Sequence, residues 1–418
     1  MDLKQFLQEY EHCSCGQKHE CSLKDVQIGS GYVHRVGEIL KKNGFPRNLL
    51  LVADKTTLAV SEGITQSLKD FDVTLKVYDR LRVARMDDVR AIEAYFNEGI
   101  EAVLSVGTGS LNDPCRLACA RHNKMFAIFA TAPSMDGFAS ASSPIVDHGF
   151  KLSYQAKNPE VIIADTKILA QAPVELKSAG FGDMVAKYVA LIDWKISNIV
   201  LGLPCCEKVF ALTRYAADRV MRNADKVMAN DEEAAAVIFE GLLYTGMAMG
   251  FVKNSHPASG AEHVMAHYME CKELLEGKEP NFHGEDVGVC TLVMLEYYER
   301  LAQYSCVRAH RERNDWQDIC EVYGPLAEEM LKLNTPHTIT EEVDLALLEE
   351  KFGEFRALVK SVPSSKELRD KMKIAGCKTT IAEIGKTETF ARECFFYHPY
   401  MRRRVSFRRL ANMMDFIQ

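Results

Sequence analysis

Residues 102–113 read Ala102-Val103-Leu104-Ser105-Val106-Gly107-Thr108-Gly109-Ser110-Leu111-Asn112-Asp113. A short β-rich run ends in a loop with two glycines, and a helical pattern, Leu111 to Arg121, follows. Strand, glycine loop, helix is how a parallel β-α unit begins. The glycines let backbone approach a ligand closely. The helix start behind them offers free N–H groups and a partial positive charge to a diphosphate. The loop is not G-x-G-x-x-G, because Asn112 stands where a third glycine would be. A plain strand-to-helix turn capped by Ser110 therefore stays open.

The same rhythm extends on both sides. Leu49–Ala53, Val73–Tyr78 and Met125–Ala130 read as further strands, with a helix over Met86–Asn97. Alternation of this kind predicts a parallel sheet with crossover helices, and ligands in such sheets bind at the carboxyl ends of strands. The fourth strand runs into Thr131-Ala132-Pro133-Ser134-Met135-Asp136-Gly137-Phe138-Ala139-Ser140. Small hydroxyl residues there suit a nicotinamide ribose or a polyol, and equally a structural turn. Asp79, after the second strand, is placed to accept from a ribose 2′-hydroxyl.

Beyond Asp165 strand signals almost vanish. Helical spacing covers Gly182–Val200, Cys206–Met228, Asp231–Val252, Gly260–Leu275 and Gly284–Tyr304. The expectation is an α/β dinucleotide-binding domain over 1–165 and an all-helical metal and substrate domain over 166–418.

Three segments of the helical half carry candidate ligands. Gly180-Phe181-Gly182-Asp183 sets an Asp at what reads as a helix start, with Lys187 one turn on. Lys187 would approach either a metal or a substrate phosphate. His263 and His267 share a helix face at i and i+4, and His283 precedes the next helix. Asp183, His263 and His283, with a position left open, are the ligand set of a catalytic divalent metal.

Composition narrows the classes. Of 418 residues, 51 are Lys or Arg and 58 Asp or Glu, a net charge of −7 that argues against nucleic acid as main partner. A hydrophobic share of 47% excludes a disordered chain. Residues 1–20 lack the apolar core of a signal peptide, and no apolar run is read as reaching the roughly 20 residues that span a bilayer. The 13 cysteines, an odd number, predict a reducing cytoplasm. Cys13, Cys15, His19 and Cys21 cluster as a small zinc or redox site or simply as reduced thiols in an arm; Cys205-Cys206 is given no role. Arg402 to Arg409 reads as a helix with one buried and one solvated face.

In order along the chain, GTGSLND, TAPSMDGFAS, GFGDMVAKYVALIDW, SGAEHVMAH and FHGEDVGV resemble the bacterial branch of the sn-glycerol-1-phosphate dehydrogenase family. That family belongs to the iron-containing alcohol dehydrogenase and dehydroquinate synthase-like superfamily. The resemblance implies the dehydroquinate synthase-like fold and reversible reduction of dihydroxyacetone phosphate with NAD(P)H. A glycerol dehydrogenase or a dehydroquinate synthase-like cyclase is the alternative. It implies NAD(P) contacts at Asp54, Gly107, Thr108, Gly109, Ser110, Leu111, Thr131, Ala132, Pro133, Ser134 and Ser140. It implies substrate contacts at Asp136 and His267, and Zn, Ni or Fe at Asp183, His263 and His283. It also implies a small phosphorylated substrate, no membrane insertion and a homo-oligomer, expected to be a homodimer. Cys271 to Pro280 lengthens the segment between two of the metal ligands, and Thr108 replaces a glycine common in relatives.

Overall fold

The computed structural model describes residues 3–418. Met1 and Asp2, the first residues of the expected 1–165 domain, lie outside the described residues. Ten strands are numbered in chain order: β1 Asp25–Gly29, β2 Asn48–Asp54, β3 Asp72–Tyr78, β4 Ala102–Gly107, β5 Met125–Ala130, β6 Ser142–Asp147, β7 Phe150–Gln155, β8 Val161–Asp165, β9 Cys306–Ala309 and β10 Met414–Ile417. Eight of the helices are numbered likewise: α1 Leu3–Glu11, α2 Gly109–Arg121, α3 Val174–Val185, α4 Lys187–Leu201, α5 Glu207–Arg222, α6 Glu232–Val252, α7 Ala261–Leu275 and α8 His283–Leu301.

Six strands form one parallel sheet in the order β1-β8-β5-β4-β2-β3. Both faces are covered. Leu50, Val52, Val103 and Ile128 pack into one apolar layer, and Leu49, Leu51, Leu104 and Phe129 into the other. Alternate residues point to opposite faces, and both faces of the central strands β2, β4, β5 and β8 are dry, so those strands are rich in apolar residues throughout. The chain passes from β2 outward to β3 and then returns to lay β4 on the other side of β2. That reversal makes the carboxyl ends of β2 and β4 the topological switch point, where open parallel sheets bind ligands. Asp54 ends β2 and Gly107 ends β4.

β8 ends at Asp165, and the chain beyond is helical apart from the small β9-β10 ribbon. The edge strand β1, the strand β8 and the β6-β7 hairpin were missed in the sequence; each is short, and the hairpin carries polar residues on its outer positions. Three further readings are corrected. The helix expected to begin at Gly182 begins at Val174 and is interrupted at Ala186, so Asp183 lies near the end of α3 rather than at a helix start. Its glycines serve close packing. A Cβ on Gly180 would sit 1.7 Å from the Pro133 carbonyl oxygen, and one on Gly182 would sit 2.3 Å from that of Gly284.

Arg402–Leu410 is helical only over Phe407–Leu410, and Arg408 and Arg409 are buried. Arg409 reaches the Pro399 carbonyl at 2.7 Å and the Glu312 carboxylate at 2.9 Å, so this end of the charge run is part of the core, while Arg403 stays exposed. Finally, α6 is 21 residues long and apolar enough to cross a membrane by length and composition. Two thirds of that stretch is buried between the arm, α3, α5 and the 131–140 loop, which makes it a core helix.

Candidate active site

The 131–140 loop leaves β5 and is held against the helical half by backbone contact. The Asp136 N–H donates to Asp183 Oδ2 at 2.8 Å. A Cβ on Gly246 of α6 would approach the Asp136 carbonyl oxygen to 2.7 Å, so helix and loop meet without an intervening side chain. From behind, the buried Arg116 of α2 donates to the carbonyls of Gly137 (2.5 Å), Phe138 (3.1 Å) and Ser142 (3.2 Å) while paired with Asp113 at 2.7 Å. One guanidinium thus fixes the loop relative to the glycine turn.

Asp183, His263 and His283 bring one donor atom each to within 4.8 Å of one another. They come from α3, α7 and the first residue of α8. His263 places Nδ1 at 2.6 Å from Glu262 Oε1, an oxygen that also accepts the Gly260 N–H at 2.8 Å. The carboxylate can only accept, so a ring proton sits on Nδ1 and Nε2 is left to face the other candidate ligands. That Nε2 faces Asp183 Oδ1 at 3.2 Å. A proton on Nε2 or a bound cation can bridge that contact, and the donor set suits a divalent cation. Burial and Lys187 oppose a charge on His263, yet hydrogen bonds to Asp183 and Glu262 overcome them and raise its pKa. Burial, reinforced by Lys151, keeps His267 and His283 well below the usual histidine range, hence neutral and able to donate a lone pair.

Lys187 is fully buried, with Nζ 2.7 Å from both Asp183 Oδ1 and Asp136 Oδ2 and 3.1 Å from the Ala258 carbonyl. Burial disfavours its charge, but the two carboxylates hold it up at about 12. Of the two destinations expected for Lys187, it lies at the candidate metal-ligand carboxylate and does not line the cleft. Asp183 is held well below the carboxylate range, against the effect of burial, by Lys187 and His263. Asp136 is raised by burial and by Asp183.

Above this cluster opens a cleft of about 180 Å³, walled by Thr108, Gly109 and Ser110 on one side and by Asp136, His267 and His283 on the other. Gly107 packs against Leu111, where a Cβ would meet its Cδ1 at 2.4 Å, and Ser110 donates to the Leu81 carbonyl at 2.6 Å. Thr131, Ala132 and Ser140 are buried; Ser134 reaches the cleft. Asp54 accepts from the Thr57 N–H at 2.8 Å and caps the helix Lys55–Val60, and Asp79 pairs with Lys55 at 2.6 Å beside it.

Sequence reasoning passed over Glu262, Arg116 and two cations of the cleft, Arg82 and Lys151. Lys151 pairs with Glu270 at 2.6 Å. Arg82 lies over the Phe282 ring at 3.8 Å and reaches Glu279 at 3.3 Å. The lengthened segment before His283 therefore folds back onto the α/β half. Glu262, next to His263, was the one with a local signal.

A profile of the iron-containing alcohol dehydrogenases matches residues 27–173. The chain is 32% identical to a glycerol-1-phosphate dehydrogenase (NAD(P)+) from Halalkalibacterium halodurans, over 72% of this chain and 77% of that one. The chain belongs to the glycerol-1-phosphate dehydrogenase family. A Geobacillus stearothermophilus member is 28% identical over 92% of this chain and 91% of its own. Among solved structures, a probable glycerol dehydrogenase from Sinorhizobium meliloti has the same fold, with a TM-score of 0.63 at 16% identity over 93% of this chain and 94% of that one. The chain is accordingly an oxidoreductase-family enzyme with the iron-containing alcohol dehydrogenase fold.

Proposed function

We propose that the enzyme interconverts dihydroxyacetone phosphate and sn-glycerol 1-phosphate, with NAD(P) and one divalent ion, Zn, Ni or Fe. The observation that carries this reading is the convergence of Asp183, His263 and His283 beneath a cleft whose opposite wall is the glycine turn at the switch point. When bound, the dinucleotide supplies or accepts the hydride and the ion supplies Lewis acidity toward the substrate oxygen. The chain's own residues do the rest. Glu262 holds the proton on His263 Nδ1, which keeps Nε2 free to ligate. Asp136 and His267 line the cleft and would hold the substrate hydroxyls. Lys151 and Arg82 line it too, and supply the positive charge a phosphate needs. Lys187 offsets the two buried carboxylates so that Asp183 stays ionised. Thr108–Leu111, Thr131–Ser134, Ser140 and Asp54 flank the strand ends where the dinucleotide would lie.

The reading keeps 1–165 as the dinucleotide domain and 166–418 as the metal and substrate domain. It places the enzyme in the cytoplasm, supported by 13 free cysteines, and as a homodimer, which light scattering checks. The deciding experiment is NADH oxidation by the metal-loaded enzyme with dihydroxyacetone phosphate against dihydroxyacetone. The phosphorylated substrate should be strongly preferred. A preference for dihydroxyacetone would make the enzyme a glycerol dehydrogenase instead.

A further inference from the structure

Away from the cleft, a second group of metal-ligating side chains meets where the N-terminal arm crosses the helical half. Cys13, Cys15 and His19 lie on the arm after α1. Cys206, 187 residues beyond His19, immediately precedes α5. Cys13 Sγ is 3.5 Å from Cys206 Sγ. His19 Nε2 is 3.2 Å from Cys15 Sγ and 3.3 Å from Cys206 Sγ. All four donor atoms lie within 4.8 Å of one another. Around a tetrahedral zinc, with bonds of about 2.3 Å to sulfur and about 2.0 Å to nitrogen, neighbouring donors are roughly 3.5–3.8 Å apart. A disulfide would need about 2.05 Å, so the 3.5 Å between Cys13 and Cys206 is not one.

Two local features prepare the donors. His19 places Nδ1 at 2.9 Å from the Phe251 carbonyl, which can only accept. Its proton is therefore on Nδ1, and the lone pair on Nε2 points into the group of thiols. Gly16, at φ +75°, turns the chain so that the Gln17 N–H donates to Cys15 Sγ at 3.4 Å. Cys21, included in the cluster on sequence spacing, stays outside it, and Cys206, given no role, completes it.

We propose that Cys13, Cys15, His19 and Cys206 form a closed zinc site, separate from the catalytic centre, that fastens the N-terminal arm to α5 and α6. Four protein ligands leave no position for a substrate, which marks a structural site. What it secures is visible in the packing. Tyr10 stacks on Phe251 of α6 at 4.7 Å, and Phe6 lies 5.4 Å from Tyr244 of the same helix. Ser22 of the arm donates to Asn158, which donates to the Ala139 carbonyl at 2.7 Å. The arm thus braces α6 and the 131–140 loop, and Ser134 to Gly137 of that loop line the cleft.

The test is cobalt(II) substitution of the full-length enzyme. Thiolate-to-cobalt charge-transfer absorption reports on this group, since among the described residues it is the one metal-ligand group that contains thiols, and the candidate catalytic ligands are oxygen and nitrogen. The band should be present in the wild type and in His263→Ala. It should be absent in Cys15→Ser and Cys206→Ser, with zinc content lower by about one equivalent per chain. Cys15 is exposed, so its variant keeps the test decisive should the buried Cys206→Ser misfold. A wild type without the band, unchanged metal content in Cys15→Ser, or a Cys13–Cys206 disulfide found by mass spectrometry in the purified enzyme would each overturn the proposal.

Discussion

Two of the candidate metal-ligand groups differ in material, access and distance along the chain. One offers a carboxylate and two imidazoles at the floor of a cleft. The other offers three thiols and an imidazole, spanned by protein on the arm and on α5. An open O/N set leaves room for substrate oxygens, while a closed sulfur set leaves none. Each nevertheless uses the same device. A histidine donates Nδ1–H to a fixed acceptor, Glu262 in one case and the Phe251 carbonyl in the other, and turns Nε2 toward the centre. The orienting partner is therefore what a ligand set has in common; the number and softness of its other members decide whether it works or braces.

The sharpest way to break the comparison is to remove one histidine from the open site. His263→Ala should cut kcat/KM by roughly 10³-fold or more, since it removes a ligand whose ion stabilises developing charge. Dinucleotide binding, measured by fluorescence titration, should be nearly unchanged, because the glycine turn lies across the cleft. Equal loss of both in a folded variant would detach the metal cluster from the chemistry.

Chelation separates the two groups without mutation. Dialysis against a strong chelator should lower activity by about 10²-fold, and zinc, nickel or iron should restore it. The thiol-held ion should remain, counted by atomic emission after the chelator is removed. Glu262→Gln tests the shared device next. It keeps shape but weakens the acceptor facing His263 Nδ1, and should weaken metal affinity 10- to 100-fold, on the order seen when such partners are changed. An affinity equal to that of the wild type would mean that Glu262 serves only the Gly260 turn.

How much of this was legible follows from sequence distance. Strands β2, β4 and β5 were readable because each is a continuous apolar run of a sheet buried on both faces, and the edge strand β3 because its apolar and polar residues alternate. β1 and β8 were not, since Asp25–Gly29 is half polar and Val161–Asp165 is too short to separate from a helix start. In the open site, His263 and His267 share one turn and Asp183 follows Gly180 and Gly182, so local pattern drew attention to them. The reason for those glycines, close approach to Pro133 and Gly284, is tertiary and could not be seen. Arg116 looked like any helix cation until its three carbonyl partners were in place. The closed site shows the limit most clearly. Three of its members fall within seven residues, yet the fourth is fixed only by how α5 meets the arm.

The smallest effect on activity is the most telling for the closed site. Cys206→Ser preserves the backbone at the start of α5 and leaves every cleft residue in place. It should change kcat/KM by less than about threefold, since no ligand of the substrate is touched. Stability should respond instead. Losing an ion that binds only the folded chain lowers Tm, here by roughly 5 °C, and the loss should be matched by wild type that has lost the thiol-held ion but keeps the open site loaded. The two effects must not add: a demetallated Cys206→Ser enzyme should melt with demetallated wild type, because both lack the same brace. A further drop in the double treatment would show that the serine disturbs packing around Val209 and Trp194 rather than metal binding. If Tm fell with an equal fall in kcat, the arm would be tuning the 131–140 loop through α6, and the closed site would have to be read as part of the working one.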